Sequence, residues 1–113
     1  MGLGASKKLT KEELEAGLAV VEAAIKDNTI MVFSTSTCPY CSKAKALLTK
    51  HGVKFQVLEL DKRSDQEAIW EALEKLTGRD TVPNIYIGGK NVGGCDDIHA
   101  LERDGKLLPL IKP

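Results

Sequence analysis

Cys38 and Cys41 stand either side of a Pro-Tyr pair at the head of STCPYCSKAKALL (residues 36–48), a stretch whose composition favours helix. Two thiols at this spacing can clamp a metal, close as an inert disulfide, or cycle between dithiol and disulfide. Their place in the chain bears on the choice. TIMVFST (29–35), rich in β-branched and apolar residues, reads as a buried strand running directly into the pair. Pro39 fits the first position of the following helix, where its missing N–H costs nothing. Cys38 then falls at the N-cap, facing the free backbone N–H groups of Tyr40 and Cys41 and the positive end of the helix dipole. Both favour thiolate over thiol. Cys41 lies one turn on, so the two Cα atoms are expected about 5 to 6 Å apart, within disulfide reach.

A magnitude shows what such a position is good for. A thiol whose pKa falls from about 8.5 to about 5 gains roughly thirtyfold in thiolate at pH 7. Intrinsic nucleophilicity falls with a Brønsted slope near 0.4 to 0.5, which removes a factor of roughly 25 to 55. The net gain as attacker is close to nothing; the gain is as leaving group, when a second thiol resolves a mixed disulfide.

The metal alternative draws on Cys38, Cys41, Cys95 and His99, a Cys₃His set with C-x₂-C and C-x₃-H spacing. Against it, 53 residues comprising most of the predicted fold separate the halves, and Pro39 opens a helix where zinc pairs use tight knuckles. An inert disulfide is disfavoured because a strand-to-helix position in a reducing cell stays labile. A redox-active pair beside a βαβ unit is the reading the residues favour.

The elements that must position this pair are legible. Thr10 and Glu13 form a capping box, and Leu14, Leu18, Val21 and Ile25 recur at helical spacing to Asp27-Asn28. After the strand at 29–35 and the helix at 39–50, KFQVLEL (54–60) alternates as a strand with Phe55, Val57 and Glu59 on one face. A helix fits Asp65 to Thr77. NIYI and NVGG flank a Gly88-Gly89-Lys90 hairpin turn, and a last helix fits 96–105. The order α-β-α-β-α-β-β-α predicts an α/β domain with a parallel βαβ half and an antiparallel hairpin half. Residues 1–9 read as a flexible leader and 10–113 as one domain; there is no internal repeat.

Sixteen basic and sixteen acidic residues leave no net charge, and aromatic residues are 4% of the chain, which argues against nucleic-acid partners. No apolar run approaches the roughly 18 residues of a membrane span, and the N-terminus lacks the apolar core of a secretory signal. A monomeric, cytoplasmic protein is expected. MGLGASKK does match an N-myristoylation pattern, with Gly2, Ser6 and Lys7-Lys8 in place, and acylation there is the one expected route to a membrane.

CPYC (38–41), TVP (81–83) and GGCDD (93–97), in this order and spacing, resemble a dithiol glutaredoxin of the thioredoxin-like superfold over about residues 12–112. The resemblance implies a four-stranded mixed sheet with helices on both faces. It implies that Cys38 attacks glutathione–protein mixed disulfides or protein disulfides and that Cys41 resolves the latter. Tyr40, Thr81, Val82, Pro83, Gly94, Cys95 and Asp96 would contact glutathione, with Pro83 cis and the γ-glutamyl carboxylate at the N-terminus of the last helix; glutathione is the cosubstrate and no metal is expected. Helix N-termini bind anions on independent grounds.

The chain departs from the family at three positions that usually grip the glycine carboxylate: Thr35 in place of Lys, Asp80 in place of a basic residue, and Trp70 in place of Gln. Either Lys43, Lys45 or Arg79 substitutes, or the preferred thiol lacks that carboxylate, as in an amide conjugate such as trypanothione. Some glutaredoxins are similar but bind a [2Fe–2S] cluster between two chains; those usually carry a small residue where this chain has Pro39. Cys95 reads as a buried cysteine at a helix start, with regulatory glutathionylation as the alternative. His51 and His99 read as solvated helix residues, Trp70 as core, and Gly88-Gly89 as turn chemistry.

Overall fold

The computed structural model describes residues 8–112. Gly2 and Ser6, on which the acylation pattern rests, lie outside them. Helix α1 (Lys11–Asp27) starts at the expected box: Thr10 Oγ1 accepts from Glu13 N–H at 3.1 Å and Glu13 Oε1 accepts from Thr10 N–H at 2.9 Å. It is followed by β1 (Ile30–Ser34), α2 (Pro39–Lys50), β2 (Gln56–Glu59), a 3₁₀ turn (Leu60–Lys62), α3 (Gln66–Thr77), β3 (Asn84–Ile87), β4 (Lys90–Gly93), α4 (Cys95–Arg103) and α5 (Leu107–Ile111).

The strands form one sheet in the order β2-β1-β3-β4. Strand β1 runs parallel to β2, with Val32 opposite Val57, and antiparallel to β3, with Val32 opposite Ile85. Every residue of β1 is buried because the period-2 alternation sends side chains into two cores. Met31 and Phe33 face a core with Val21, Ile69, Leu73 and Tyr86, under α1 and α3. Ile30 and Val32 face a second with Ala44, Leu48, Ile98 and Leu107, under α2, α4 and α5. Phe33 meets the Tyr86 ring edge-on, centroids 6.0 Å apart, and burying such a side chain is worth about 1.5–3 kcal/mol. The four-stranded mixed sheet covered on both faces is the architecture anticipated above.

Three details differ from the sequence reading. The second strand stops at Glu59, and Leu60, fully buried, begins the 3₁₀ turn. Helix α5 was not anticipated; Leu107 and Ile111, one turn apart, close the second core, and Pro109 sits in the first turn, where its missing N–H has no partner to lose. Neither histidine is merely solvated. His51 Nε2 lies 2.8 Å from Glu102 Oε1 with its side chain only 16% exposed, pinning the end of α2 to α4, and His99 Nδ1 lies 2.8 Å from Cys95 O.

The turn between β3 and β4 needs glycine at both Gly88 (φ 60°) and Gly89 (φ 81°), the left-handed pair of a type I′ hairpin. Helices α1 and α3 cross closely at Gly17, where a Cβ would lie 2.7 Å from the backbone of Ala68.

Candidate active site

The segment Thr35-Ser36-Thr37 leaves the sheet and turns into α2. Cys38 N–H donates to Thr35 O at 3.3 Å. Ser36 is tied to Asp61, beyond the end of β2, by its N–H to Oδ1 at 2.9 Å and by its hydroxyl to Oδ2. These bonds, led by the Ser36 hydroxyl, hold the Asp61 carboxyl below its ordinary range. The turn ahead of Cys38 is therefore anchored to the 3₁₀ turn that follows the neighbouring strand.

Cys38 is the N-cap of α2 with Pro39 at the first helical position, and its Sγ accepts the Cys41 N–H at 3.2 Å. Of the two backbone N–H groups expected to face this sulfur, that of Cys41 donates to it. Cys38 is 8% exposed and Cys41 fully buried. Burial, and then hydrogen bonding with Cys38, push the Cys41 thiol up to about 11. The pair is thus divided into a slightly exposed sulfur, held by a helix N-terminus, and a fully buried, protonated thiol beneath it. None of the three cysteines is in a disulfide.

Opposite Cys38 the chain crosses at the cis Val82–Pro83 bond, as the resemblance implied, and Val82 O lies 3.8 Å from Cys38 Sγ. Beside it opens a cleft of about 180 Å³. Tyr40 forms its rim, 56% exposed; Thr81, Val82 and Pro83 form one wall; Gly94, Cys95 and Asp96, at the start of α4, form another. The residues singled out from the resemblance are thus gathered around one cavity, together with Arg79. A larger hollow of about 670 Å³, between the end of α1, α3 and the hairpin, contains no cysteine and lies away from this chemistry.

At α4, Gly94 is the N-cap and its N–H donates to Asp97 Oδ2 at 2.8 Å. That interaction has a local signal in the chain, an acidic residue three places after the cap. Cys95 is 7% exposed, and burial, then the Asp96 carboxylate, push its thiol above the ordinary range. His99 Nδ1 is 3.5 Å from its sulfur, but among the described residues no group of three or more His, Cys, Asp or Glu side chains is placed to hold a metal. The Cys₃His set is not assembled.

The cations proposed to replace the missing lysine separate clearly. Lys45 is committed to Glu59 at 2.9 Å. Lys43 stands over the Tyr40 ring, 5.3 Å from its centroid. Arg79 lines the cleft. Trp70, 5% exposed, belongs to the first core, and its Nε1 is buried without a partner.

Comparison with known proteins agrees with this geometry. The family profile described as glutaredoxin matches residues 30–92. A glutaredoxin of Vernicia fordii is 46% identical over 87 residues, 77% of this chain and 84% of that one. Glutaredoxin-C1 of Arabidopsis thaliana is 41% identical over 104 residues, 92% of this chain and 83% of that one. The crystal structure of a buckwheat glutaredoxin–glutathione complex superposes with a TM-score of 0.89 at 44% identity, covering 91% of this chain and 94% of that one. With a thioredoxin-like sheet, a C-x-x-C pair at a helix N-cap and a cis-proline cleft beside it, this chain belongs to the glutaredoxin family of thiol–disulfide oxidoreductases.

Proposed function

We propose that the protein uses glutathione to reduce glutathione–protein mixed disulfides, and protein disulfides through its dithiol. The observation that carries this reading is Cys38 Sγ, held by the Cys41 N–H at the start of α2 and adjoining the cleft beside Pro83.

In the first reaction, the Cys38 thiolate attacks the glutathione sulfur of a mixed disulfide. The client protein leaves as thiolate and takes a proton from water, and Cys38 carries glutathione. A second glutathione thiolate attacks the sulfur of that bound glutathione, releasing glutathione disulfide and returning Cys38 as thiolate; the N–H and the dipole of α2 stabilise this leaving group. In this reading Val82 O, which lies 3.8 Å from the sulfur, accepts from the cysteinyl N–H of the bound tripeptide. The N-terminus of α4 supplies N–H groups for the γ-glutamyl carboxylate.

Cys41 decides which route prevails. Burial, the first cause of the raised Cys41 thiol, disfavours its thiolate, so external glutathione is expected to compete with it for a mixed disulfide on Cys38. When Cys41 does attack a Cys38–client disulfide, the client thiol departs, a Cys38–Cys41 disulfide forms, and two glutathiones reduce it.

Turnover of a glutathionylated peptide, coupled to glutathione reductase, tests the reading. Cys38→Ser is expected to abolish activity and Cys41→Ser to keep or raise it. Wild-type protein inactive with glutathione would contradict it.

A further inference from the structure

Apart from cysteines and aromatic rings, two polar side chains among the described residues are fully buried, Ser34 and Asn84. The bonds of Asn84 explain its place: Nδ2 donates to Thr77 Oγ1 at 3.2 Å and Oδ1 accepts from Asn91 Nδ2 at 2.6 Å, tying β3 to α3 and β4. Ser34 has no such use. It ends β1 behind four apolar residues, and its hydroxyl donates to the carbonyl of its own neighbour, Thr35, at 3.2 Å. Burying a hydroxyl costs free energy, and a bond to the next residue joins no two elements. What the hydroxyl does face is the Cys41 sulfur, itself fully buried on the inner side of α2. Burial first, and then Cys38, raise the Cys41 thiol, whereas hydrogen bonds from the Ser34 side chain and the Thr35 backbone act the other way. Only donors to the sulfur favour its thiolate, so an O–H and an N–H are within reach of Cys41. Thr35 O also accepts the Cys38 N–H, at 3.3 Å. The Ser34 hydrogen can therefore turn from Thr35 O to Cys41 without leaving that carbonyl unpaired, and a hydroxyl rotates to suit its partner.

We propose that the Ser34 hydroxyl, with the Thr35 N–H, holds the charge of the Cys41 thiolate and so sets the share of turnover that runs through two cysteines instead of one. This rests on the roles of Cys38 and Cys41 proposed above. When Cys38 carries a mixed disulfide, Cys41 gives its proton to water and its thiolate attacks the Cys38 sulfur. The Cys38–Cys41 bond forms, the bond from Cys38 to glutathione or client breaks, and the departing thiolate takes a proton from water. Ser34 donates to the Cys41 sulfur while that sulfur is charged and returns to Thr35 O once it is neutral in the disulfide. The same donors receive the charge when reduction of the disulfide expels Cys41. Cys38 draws on the start of α2, through the Cys41 N–H, so the two sulfurs have separate donors and Ser34 acts on the dithiol route.

The test mixes reduced protein with one equivalent of glutathione disulfide, quenches with acid at intervals and follows two masses: the Cys38–glutathione adduct, and the Cys38–Cys41 disulfide that replaces it. Ser34→Ala is expected to lower the ratio of the closing rate to the adduct-forming rate about tenfold at pH 7, since a hydrogen bond to a charged group is typically worth that factor. The variant should then need a pH about one higher to close at the wild-type rate. Ser34→Thr, which returns the hydroxyl, should recover part of the loss. A ratio within about twofold of wild type overturns the proposal. Equal slowing of both steps overturns it as well, because a merely structural role for Ser34 would give that result. The same series with bis(2-hydroxyethyl) disulfide reads closing without a glutathione site. Wild type that closes from this oxidant but forms no glutathione adduct would defeat the glutathione reading itself, and the Ser34→Ala ratio on this oxidant still decides the proposal.

Discussion

Two cysteines in this molecule, Cys38 and Cys95, sit at helix starts, yet their sulfurs are held differently. Cys38 occupies the N-cap of α2, and its sulfur takes the backbone N–H of Cys41. Cys95 is the first residue of α4, one place further in; the cap is Gly94, whose N–H is taken by the Asp97 carboxylate, and the sulfur is left beside His99. Acidic residues also differ: α2 has none in its first turn, whereas α4 has Asp96 and Asp97. A carboxylate near a thiol disfavours its ionisation, and burial acts in the same direction at Cys95. A shift of one residue along the cap and two acidic neighbours thus separate the cysteine we propose as the redox centre from one that lines the cleft. The α4 end instead lines the cleft, through Gly94, Cys95 and Asp96, beside Arg79.

The largest effect should come from exchanging sulfur for oxygen at the two sites. Cys38→Ser is expected to reduce turnover of a glutathionylated peptide by more than about 10³-fold, because a serine hydroxyl is scarcely ionised, whereas Cys95→Ser should change it by less than about threefold. Equal losses would erase the comparison. Cys41→Ser sharpens it within the first site: reduction of a protein disulfide should be lost while deglutathionylation persists, as measured with an insulin-type disulfide and the glutathionylated peptide in parallel.

Gly94→Ala probes the second site. The added Cβ would meet Arg79 Nη2 at 2.8 Å and Pro83 O at 3.1 Å, so the side chain must swing away while the backbone needs to give only slightly. KM for glutathione should rise up to about tenfold with kcat nearly unchanged, a split that loss of Cys38 would not produce.

A smaller effect is expected at the anchor of the α2 turn. The Asp61 carboxyl is held below its ordinary range in the folded state, so the charged form stabilises the fold above the unfolded value near 4, and that contribution is lost as pH falls through the lower folded value. Asp61→Asn should therefore lower Tm at pH 7 while flattening the acid-side decline of Tm between about pH 5 and 3; thermal scans across that range would show a parallel decline if the bond to Ser36 contributed nothing. The smallest effect is Lys45→Ala, about 0.5 kcal/mol or less from loss of the Glu59 pair, read by urea unfolding.

Much of this was legible in the chain. The buried run of β1, the Thr10/Glu13 box, Pro39 at the head of α2 and the paired glycines of the hairpin each carry a local signal, and the structure places them accordingly. Contacts between distant residues were not legible. His51 meets Glu102 and Ser36 meets Asp61 across 51 and 25 positions, and neither partner carries a local signature. Helix α5 escaped because five residues with Pro109 among them show no period until Leu107 and Ile111 are seen against the second core. Arg79 showed its type but not its reach: a long flexible side chain can lie in several directions, and its place across Gly94 is set by the fold and not by any local signal.

The most direct test of the contrast between the two helix starts is to treat Cys41→Ser protein with one equivalent of glutathione disulfide, quench with acid within seconds, and map the adduct by peptide mass spectrometry. Glutathione is predicted on Cys38 with Cys95 unmodified; an adduct formed first or equally on Cys95 would contradict the account.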